Sequence, residues 1–108
     1  MAVALLPPTS LFAVAPTTPH SERSAPLLYR TLCSSCHGRD GQADSAKGKK
    51  NHARNLADAA WQDDVSDERI FNSIMNGRNV RGKMPGFGKR LAEKEAESLV
   101  TFVRGLRK

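Results

Sequence analysis

Cys33-Ser34-Ser35-Cys36-His37 contains both cysteines of the 108-residue chain, followed directly by a histidine. The spacing Cys-x-x-Cys-His is the pattern by which haem c is attached to a protein. The two thiols add across the two vinyl groups of haem, and the histidine that follows can bind the iron from one side. The sequence therefore predicts one covalently bound haem c, with Cys33 and Cys36 as its thioethers and His37 as the proximal iron ligand.

Three other uses of the two cysteines fit the sequence less well. A structural disulfide between Cys33 and Cys36 leaves His37 unexplained, and a thioredoxin-like redox pair would lie near a βαβ pattern, which the chain lacks. A zinc site usually takes four ligands, and the other two histidines, His20 and His52, are isolated. A binding module without haem, held by a Cys33–Cys36 bridge, remains the alternative from a different functional class.

A six-coordinate haem iron needs a second axial ligand, and the candidates are two methionines and two histidines: Met84, Met75, His52 and His20. Met84 lies in a glycine-rich loop that is flexible enough to cross a haem face. Met75 falls on the apolar face of a predicted helix, which is typical of a core methionine. His52 lies in a polar loop and His20 in the N-terminal segment, so we predict Met84 as the distal ligand.

The composition indicates one small domain. The chain carries a formal net charge of +6, and its 8 glycines and 6 prolines are too few for a low-complexity protein. Five of the six prolines fall before residue 27, among several serines and threonines. We interpret residues 1–23 as an export-signal remnant, a tether or a linker, and residues 24–108 as the folded domain. A core this small is often completed by a cofactor.

Apolar residues at helical spacing predict helices from Ser24 into the cysteine motif, over Leu56–Trp61, from Ser66 to Gly77 and from about Ala92 to Leu106. Ser24 and Ser66 are good N-caps, and Gly77 is typical of a helix end. Residues 38–55 and 78–90 are rich in glycine and polar side chains, which predicts long surface loops. Because no alternating strand pattern appears, the predicted fold class is all-α.

Together these segments resemble the class I monohaem cytochromes c of bacteria, over about residues 25–108. Tyr29 lies four residues before the first cysteine, as in the attachment helix of that family, and Met84-Pro85-Gly86-Phe87-Gly88 is similar to its methionine-bearing loop. The resemblance implies a small cytochrome c fold of about three to five helices around one haem. It also implies that the N- and C-terminal helices cross near a haem edge, with Tyr29 and Phe102 as candidate contacts.

The chain departs from that family at two positions. Members often carry a proline after the haem motif, beside a carbonyl that accepts the ring N–H of the ligand histidine. No proline lies between residues 27 and 84, so the sequence does not name the acceptor for His37. The last helix of the family often opens with Ser or Thr, and Ala92 in that place predicts a weaker N-cap.

Apolar side chains are predicted to wall the haem, where a low dielectric disfavours the charged ferric state. The candidates are Leu32, Leu56, Trp61, Ile70, Ile74, Phe87 and Leu99. Some of these residues could instead serve only the core between helices. The indole N–H of Trp61 could also donate a hydrogen bond to a haem propionate, because a buried tryptophan usually has a polar partner.

Positive charge is concentrated on both sides of Met84. Between Ile70 and Leu91 the chain has no acid and five basic residues, Arg78, Arg81, Lys83, Lys89 and Arg90. A second basic group consists of Lys47, Lys49, Lys50 and Arg54. Such a surface would steer an acidic redox protein toward the haem, or it is a solvated loop that offsets the haem propionates. No nucleic-acid motif accompanies the charge, so nucleic-acid binding is not predicted.

The residues and the resemblance together predict a monomeric electron carrier, or the carrier domain of a larger oxidoreductase, rather than an enzyme. His37 and Met84 would fill both axial positions, and a thioether ligand favours reduced iron. An open distal site, without Met84 as ligand, would instead make the chain a redox enzyme domain or a gas sensor. Since haem c is attached outside the energy-transducing membrane, the resemblance implies a periplasmic or otherwise exported bacterial protein.

Overall fold

The computed structural model describes residues 22–108 as five helices joined by long connections. They are α1 over residues 25–37, α2 Ala46–Lys50, α3 Ala59–Asp64, α4 Asp67–Asn76 and α5 Glu93–Arg104. This part of the chain contains no strand, which confirms the predicted all-α class. None of its helices is long and apolar enough to cross a membrane. The predicted export or tether segment lies outside the described residues, apart from Glu22 and Arg23.

Side-chain caps start two helices where the sequence predicts them. The hydroxyl of Ser24 accepts a hydrogen bond from the Leu27 N–H at 3.4 Å, and that of Ser66 accepts from the Arg69 N–H at 3.0 Å. At the other end of α4, Gly77 has a φ of +81°, a conformation that side chains rarely adopt and that ends the helix. The predicted starts of α1 and α4 and the predicted stop at Gly77 are confirmed.

Residues 38–55 do not form the continuous surface loop that their composition predicts, because α2 lies within them. Ser45 caps this helix by accepting from the Gly48 N–H at 2.9 Å. At its end the Ala53 N–H donates to the Gly48 carbonyl at 2.8 Å, and the His52 N–H donates one turn back at 3.2 Å. This pair of bonds is a Schellman motif, with His52 in the left-handed conformation at a φ of +54°. Its hydrogen bonds form a helix that apolar periodicity does not reveal.

α3 begins three residues later than the short helix predicted over Leu56–Trp61. Asp58 provides the N-cap, since its side chain accepts from the Trp61 N–H at 2.9 Å. Leu56 therefore precedes the helix and packs into the core, where it is buried. The correction follows from the cap, because an aspartate that accepts an N–H bond marks where the helix begins.

The centre of the core lies where α1 packs against α5. Leu28 and Leu99 are each 1% exposed. The rings of Tyr29 and Phe102 lie 4.8 Å apart between centroids and are tilted by 36°. An aromatic pair of this kind contributes about 0.5–1.5 kcal/mol beyond the area it buries. The contact between these two aromatic residues, which the resemblance implied, is confirmed.

The start of α5 is held by a buried acid rather than by its N-cap residue. Ala92 has no side-chain acceptor, and its N–H instead donates to Glu95 Oε1 at 2.9 Å. Arg23 donates to the same carboxylate from its backbone N–H, its Nε and its Nη2, each at 2.9 Å. Arg23, the last residue before the predicted domain boundary, therefore connects the chain entering α1 to the start of α5.

A second polar cluster ties α3 to the end of α5. The Nε2 atom of buried Gln62 donates to the Leu56 and Val103 carbonyls, both at 2.8 Å. Arg104 donates in turn to the Gln62 carbonyl at 2.7 Å and forms an ion pair with Asp67 at 2.7 Å. Since an unpaired buried carbonyl costs free energy, these bonds fix how the two helices meet.

Candidate haem site

A cavity of about 450 Å³ opens between the five helices, and every residue predicted for the haem site lines it. It brings Cys33, Cys36 and His37 of α1 together with Met84, far along the chain. The seven predicted wall residues also line it: Leu32, Leu56, Trp61, Ile70, Ile74, Phe87 and Leu99. Val65 and Val80 line it as well and were not predicted, because single valines outside a periodic stripe leave no clear signal, while Val103 lines it from the apolar stripe of α5.

The attachment motif begins at Cys33, the last residue of a π-helical turn. α1 consists of an α-helical turn Ala25–Leu28, a π-helical turn Tyr29–Cys33 and a second α-helical turn Ser34–His37. A π turn contains one extra residue, so it changes the angular register of everything after it, and such turns are frequent at functional sites. Here the change in register falls immediately before the two residues between the cysteines.

Tyr29 anchors this wide turn to the residue that follows the motif. Its hydroxyl donates to the Gly38 carbonyl at 2.6 Å, and its side chain is buried against α5. Burial raises the pKa of the phenol, so the hydroxyl remains a donor throughout the physiological range. The chain before the motif is thereby tied to the residue that follows it.

The two cysteines line the cavity as free thiols and are not joined to each other. Burial, and then the neighbouring Cys36, raise the pKa of Cys33 to about 11. A redox-active dithiol depends on a lowered thiol pKa, so this environment is unlike that of a thioredoxin pair. The Nδ2 atom of Asn51 lies 3.8 Å from Cys36 Sγ and donates to it.

His37 is held in a single tautomer by a backbone carbonyl. Its Nδ1 lies 2.9 Å from the carbonyl oxygen of Arg54. A carbonyl can only accept, so Nδ1 carries the proton and Nε2 keeps a free lone pair. Burial lowers the pKa of the imidazole, which keeps it neutral. This arrangement is typical of a metal-binding histidine, and it supplies the acceptor that the sequence left unnamed.

Met84 is positioned by the methionine loop, which we define as residues 78–88. Met84 and Arg78 exchange two backbone hydrogen bonds of 2.9 Å, which close the loop between them. Beyond Met84, the Phe87 N–H donates to the Ile74 carbonyl at 2.8 Å and attaches the loop to α4. The Gly86 backbone packs so closely against α4 that a Cβ there would lie 2.6 Å from the Asn76 carbonyl carbon.

The other candidates for the second ligand are placed differently. Met75 is partly buried and packs against the hydrophobic core, as predicted, and it is not among the residues that line the cavity. His52 contributes to the lining, but its side chain is exposed and its backbone completes the end of α2. His20 lies outside the described residues.

Basic side chains from both predicted groups meet at the rim of the cavity. They are Lys47, Arg54, Arg69, Arg78, Arg81, Lys83 and Arg90, which we call the basic rim. Burial lowers the pKa of the Arg54 guanidinium, and the nearby charges of Arg81 and Arg69 lower it further. Arg54 also lies over the Trp61 ring, 5.7 Å from its centroid. Arg69 was not predicted, since it lies on a helix that the sequence assigned to the core.

These residues fit haem c. A porphyrin has an apolar ring, two vinyl groups that thiols can attack and two carboxylates. The cavity offers apolar walls, two unpaired thiols, a neutral imidazole with a free ring nitrogen, a thioether and a basic rim. Its volume of about 450 Å³ is also within the range of cofactor sites.

The chain resembles known c-type cytochromes in sequence and in fold. Two relatives, each named Cbb3-type cytochrome c oxidase subunit CcoP, come from Azospirillum brasilense and Cereibacter sphaeroides. Each is 32% identical over 79 residues, which cover 73% of this chain and 26% or 25% of the relative. The chain thus spans about a quarter of the length of these relatives.

Solved structures of one small cytochrome match the fold. The KustC0563 c-type cytochrome has a TM-score of 0.70 and 37% identity, covering 80% of this chain and 100% of that one. A tyrosine-to-phenylalanine variant of the same cytochrome has a TM-score of 0.68 and 35% identity, and the match covers 79% of this chain and 100% of the variant. A family model described as Cytochrome C oxidase, cbb3-type, subunit III matches residues 21–103. The chain therefore belongs to this family, as a c-type cytochrome whose cofactor is covalently bound haem c.

Proposed function

We propose that this cytochrome carries single electrons through a haem that is attached to Cys33 and Cys36 and bound at its iron by His37 and Met84. The observation that carries the proposal is the hydrogen bond of 2.9 Å between His37 Nδ1 and the Arg54 carbonyl. It leaves Nε2 as the free ring nitrogen of a neutral imidazole in the cavity that also contains both thiols and Met84. When bound, haem supplies one-electron exchange between ferrous and ferric iron.

The side chains around the cavity favour electron exchange over chemistry on a bound molecule. Six leucine, isoleucine and phenylalanine side chains line the cavity, and this apolar part of the lining disfavours an additional positive charge. Met84 adds a thioether ligand, which raises the reduction potential of the haem iron because it favours the ferrous state. With Met84 as ligand, neither axial position is open, which supports electron transfer rather than chemistry on a bound substrate.

Two methionine variants test the ligation. We expect the ferric wild-type protein to show the methionine–iron absorption band at the red end of the spectrum. Met84→Ala should lose this band, and its potential should fall by on the order of 0.1 V, since axial ligands set potentials over about 0.8 V. Met75→Ala is the matched control and should keep the band. A wild-type protein without the band would contradict Met84 ligation and favour an open distal site.

Covalent attachment is tested separately from iron ligation. Haem should stay on the chain in a denaturing gel, where it is detected by its peroxidase activity. Cys33→Ala and Cys36→Ala should each weaken the attachment, and the double variant should lose haem from the denatured chain. A wild-type band that loses its haem stain on denaturation would contradict the thioether bonds.

We further propose that the redox partner has an acidic docking surface and reaches the basic rim. Val80 is 75% exposed on the methionine loop, beside Arg81 and close to Lys83. An apolar contact ringed by positive charge suits a transient redox complex with an acidic protein. Because the relatives are named as subunits of cbb3-type oxidases, a partner within such an oxidase is the first to test.

The ionic strength of the solution tests this docking. The rate of electron transfer to an acidic partner should fall steeply with added salt, because the Debye length shortens to about 8 Å at 0.15 M. Lys83→Glu should slow the reaction at low salt far more than Lys94→Glu, which changes an exposed lysine of α5. A rate that does not depend on salt, or equal effects of the two variants, would contradict the proposed surface.

We propose that the domain works as a monomer in the periplasm, with residues 1–23 as its export signal or tether. Attachment of c-type haem outside the energy-transducing membrane supports this location. Fractionation of cells that express the full chain should place the haem-stained protein in the periplasm or on its membrane face. Removal of residues 1–21, which leaves Arg23 and its bonds to Glu95 in place, should abolish the haem-loaded protein, and haem-loaded protein that accumulates in the cytoplasm would contradict the proposal.

A further inference from the structure

Segment 51–54, which follows α2, contacts the residues on both sides of the candidate haem site. At one end its Asn51 amide donates to Cys36 Sγ over 3.8 Å. At the other end the Arg54 carbonyl accepts from His37 Nδ1 at 2.9 Å. Between them the His52 carbonyl accepts from Arg81 Nε of the methionine loop at 3.2 Å. One short segment thus connects the attachment motif with the loop that carries Met84.

The methionine loop approaches this segment more closely than any side chain would allow. A Cβ on Gly82 would lie 1.9 Å from the Asn51 carbonyl oxygen. Gly82 is not among the glycines with a positive φ, so its conformation does not require glycine. The absence of a side chain is needed here only because the two backbones are in contact.

The His52 carbonyl, which accepts the bond from Arg81, is held firmly in place. His52 adopts its φ of +54° because it completes the Schellman motif of α2, with its own N–H and that of Ala53 bonded to the preceding turn. Gly48, in the middle of α2, packs against the attachment motif so closely that a Cβ would lie 2.1 Å from the Cys36 carbonyl. Segment 51–54 is therefore fixed to α1 through α2.

The methionine loop has little else to hold its tip. Its ends are attached by the Arg78–Met84 bonds and by the Phe87 N–H bond to α4. Within the described part of the chain, the bond from Arg81 to His52 is the only hydrogen bond that residues 79–83 make outside the loop. Loss of this contact would leave the residues just before Met84 free to move away.

We propose that segment 51–54 is a positioning element for the methionine loop, and that Arg81 and Gly82 are the loop residues through which it keeps Met84 on the iron. The inference rests on the proposed ligation by Met84 and adds the residues that determine how readily this ligand leaves. Arg81 and Gly82 act through Met84 rather than on the haem, so they are positioning residues.

Competition by imidazole for the ferric protein tests the proposal. Imidazole can bind the iron only when Met84 leaves, so its apparent dissociation constant reports how tightly the loop is held. A hydrogen bond contributes about 0.5–1.5 kcal/mol, so Arg81→Ala should tighten the apparent imidazole affinity by roughly 2- to 12-fold. Arg81→Lys, which keeps a donor, should bind imidazole nearly as the wild-type protein does.

Gly82→Ala is the stronger perturbation, because the backbone of the loop has to move away from Asn51. We expect it to tighten the apparent affinity by at least about tenfold, which corresponds to 1.4 kcal/mol. Two controls match these changes. Lys89→Ala is the control for Arg81→Ala, because it removes an equal charge just after the methionine loop. Gly105→Ala is the control for Gly82→Ala, because it adds a methyl group where the nearest atom would be 3.3 Å away. Both should leave imidazole binding unchanged.

Amide hydrogen exchange gives a second readout that does not depend on the added ligand. The Met84 N–H, which donates to the Arg78 carbonyl at 2.9 Å, should exchange faster in Arg81→Ala. The Leu99 N–H in buried α5 should keep its wild-type rate, which a general loss of stability would not allow.

The outcomes separate this inference from the proposed function. A wild-type protein with the methionine–iron band, and with unchanged imidazole binding in Arg81→Ala and Gly82→Ala, would overturn the positioning role alone. Equal tightening in Lys89→Ala would also overturn it, since the effect would then be one of charge. A wild-type protein without the band would overturn Met84 ligation and this inference together.

Discussion

Replacement of Glu95 by glutamine should reveal how much one buried carboxylate stabilises the domain. Glu95 is 2% exposed and accepts four hydrogen bonds of 2.9 Å, three from Arg23 and one from the Ala92 N–H. Glutamine keeps the shape of the side chain but loses the charge, and its amide cannot accept the bonds that one carboxylate oxygen accepts. The change therefore tests the charge rather than the packing.

The size of the effect follows from the pKa of Glu95. The bonds from Arg23, with help from the Ala92 N–H, hold this pKa at about 2, below the value of about 4.3 in an unfolded chain. At full strength this difference corresponds to roughly 3 kcal/mol of stability at neutral pH. The Arg23 side chain is 49% exposed, so solvent screens the pair, and we expect about 1–2 kcal/mol.

The dependence on pH has a definite sign. A carboxyl whose pKa is lower in the folded state stabilises the protein above its unfolded pKa and loses this effect as the pH falls. The wild-type protein should therefore be more stable than Glu95→Gln at pH 7. The difference should shrink as the pH falls from about 4.3 through 2, below which both side chains are neutral. Guanidinium unfolding of the haem-loaded protein, followed by circular dichroism at several pH values, measures it.

The control is Glu97→Gln, which removes the same charge from an exposed position of the same helix. It should change the free energy of unfolding by less than about 0.5 kcal/mol at any pH. A Glu95→Gln variant as stable as the wild-type protein at pH 7 would show that the charge does not stabilise the fold. A difference between the two proteins that stays constant down to pH 2 would show the same.

Three further substitutions test other parts of the structure by the same unfolding measurement. Gln62→Ala should lose about 1–2 kcal/mol, because the Leu56 carbonyl loses its donor while the Val103 carbonyl keeps the Leu106 N–H, and a loss below about 0.5 kcal/mol would contradict that role. His52→Gly should gain about 0.5–1 kcal/mol, because glycine adopts a φ of +54° without strain; a destabilised variant would count against the assigned Schellman motif. Tyr29→Phe should lose about 1–2 kcal/mol with its bond to Gly38 while the ring still packs, and unchanged stability would show that the bond is dispensable.

Much of this site could be predicted because its chemistry is local in the sequence. The two cysteines and the histidine that follows lie within five residues, so the spacing alone indicates haem c. The apolar walls could also be predicted, since core residues recur at helical spacing, and all seven predicted wall residues line the cavity. Met84, which the sequence favours among four candidates because it lies in a glycine-rich loop, also lines the cavity.

The missed features depend on backbone atoms. Every residue has a carbonyl, so no side chain marks Arg54 as the acceptor for His37. α2 was missed for a related reason, since its capping and Schellman bonds form between groups that any sequence provides. The start of α3 was displaced because a cap, rather than apolar periodicity, determines it.

Local sequence was enough to indicate the haem c cofactor, the helical class and the residues that line the cavity, because covalent attachment and amphipathic periodicity act over a few neighbouring positions. How these parts support one another depends on the tertiary packing. It joined two separate basic groups into one rim around the cavity. It also brought segment 51–54 against His37, Cys36 and the methionine loop. Such contacts join residues distant in the chain, and they arise only when the helices pack.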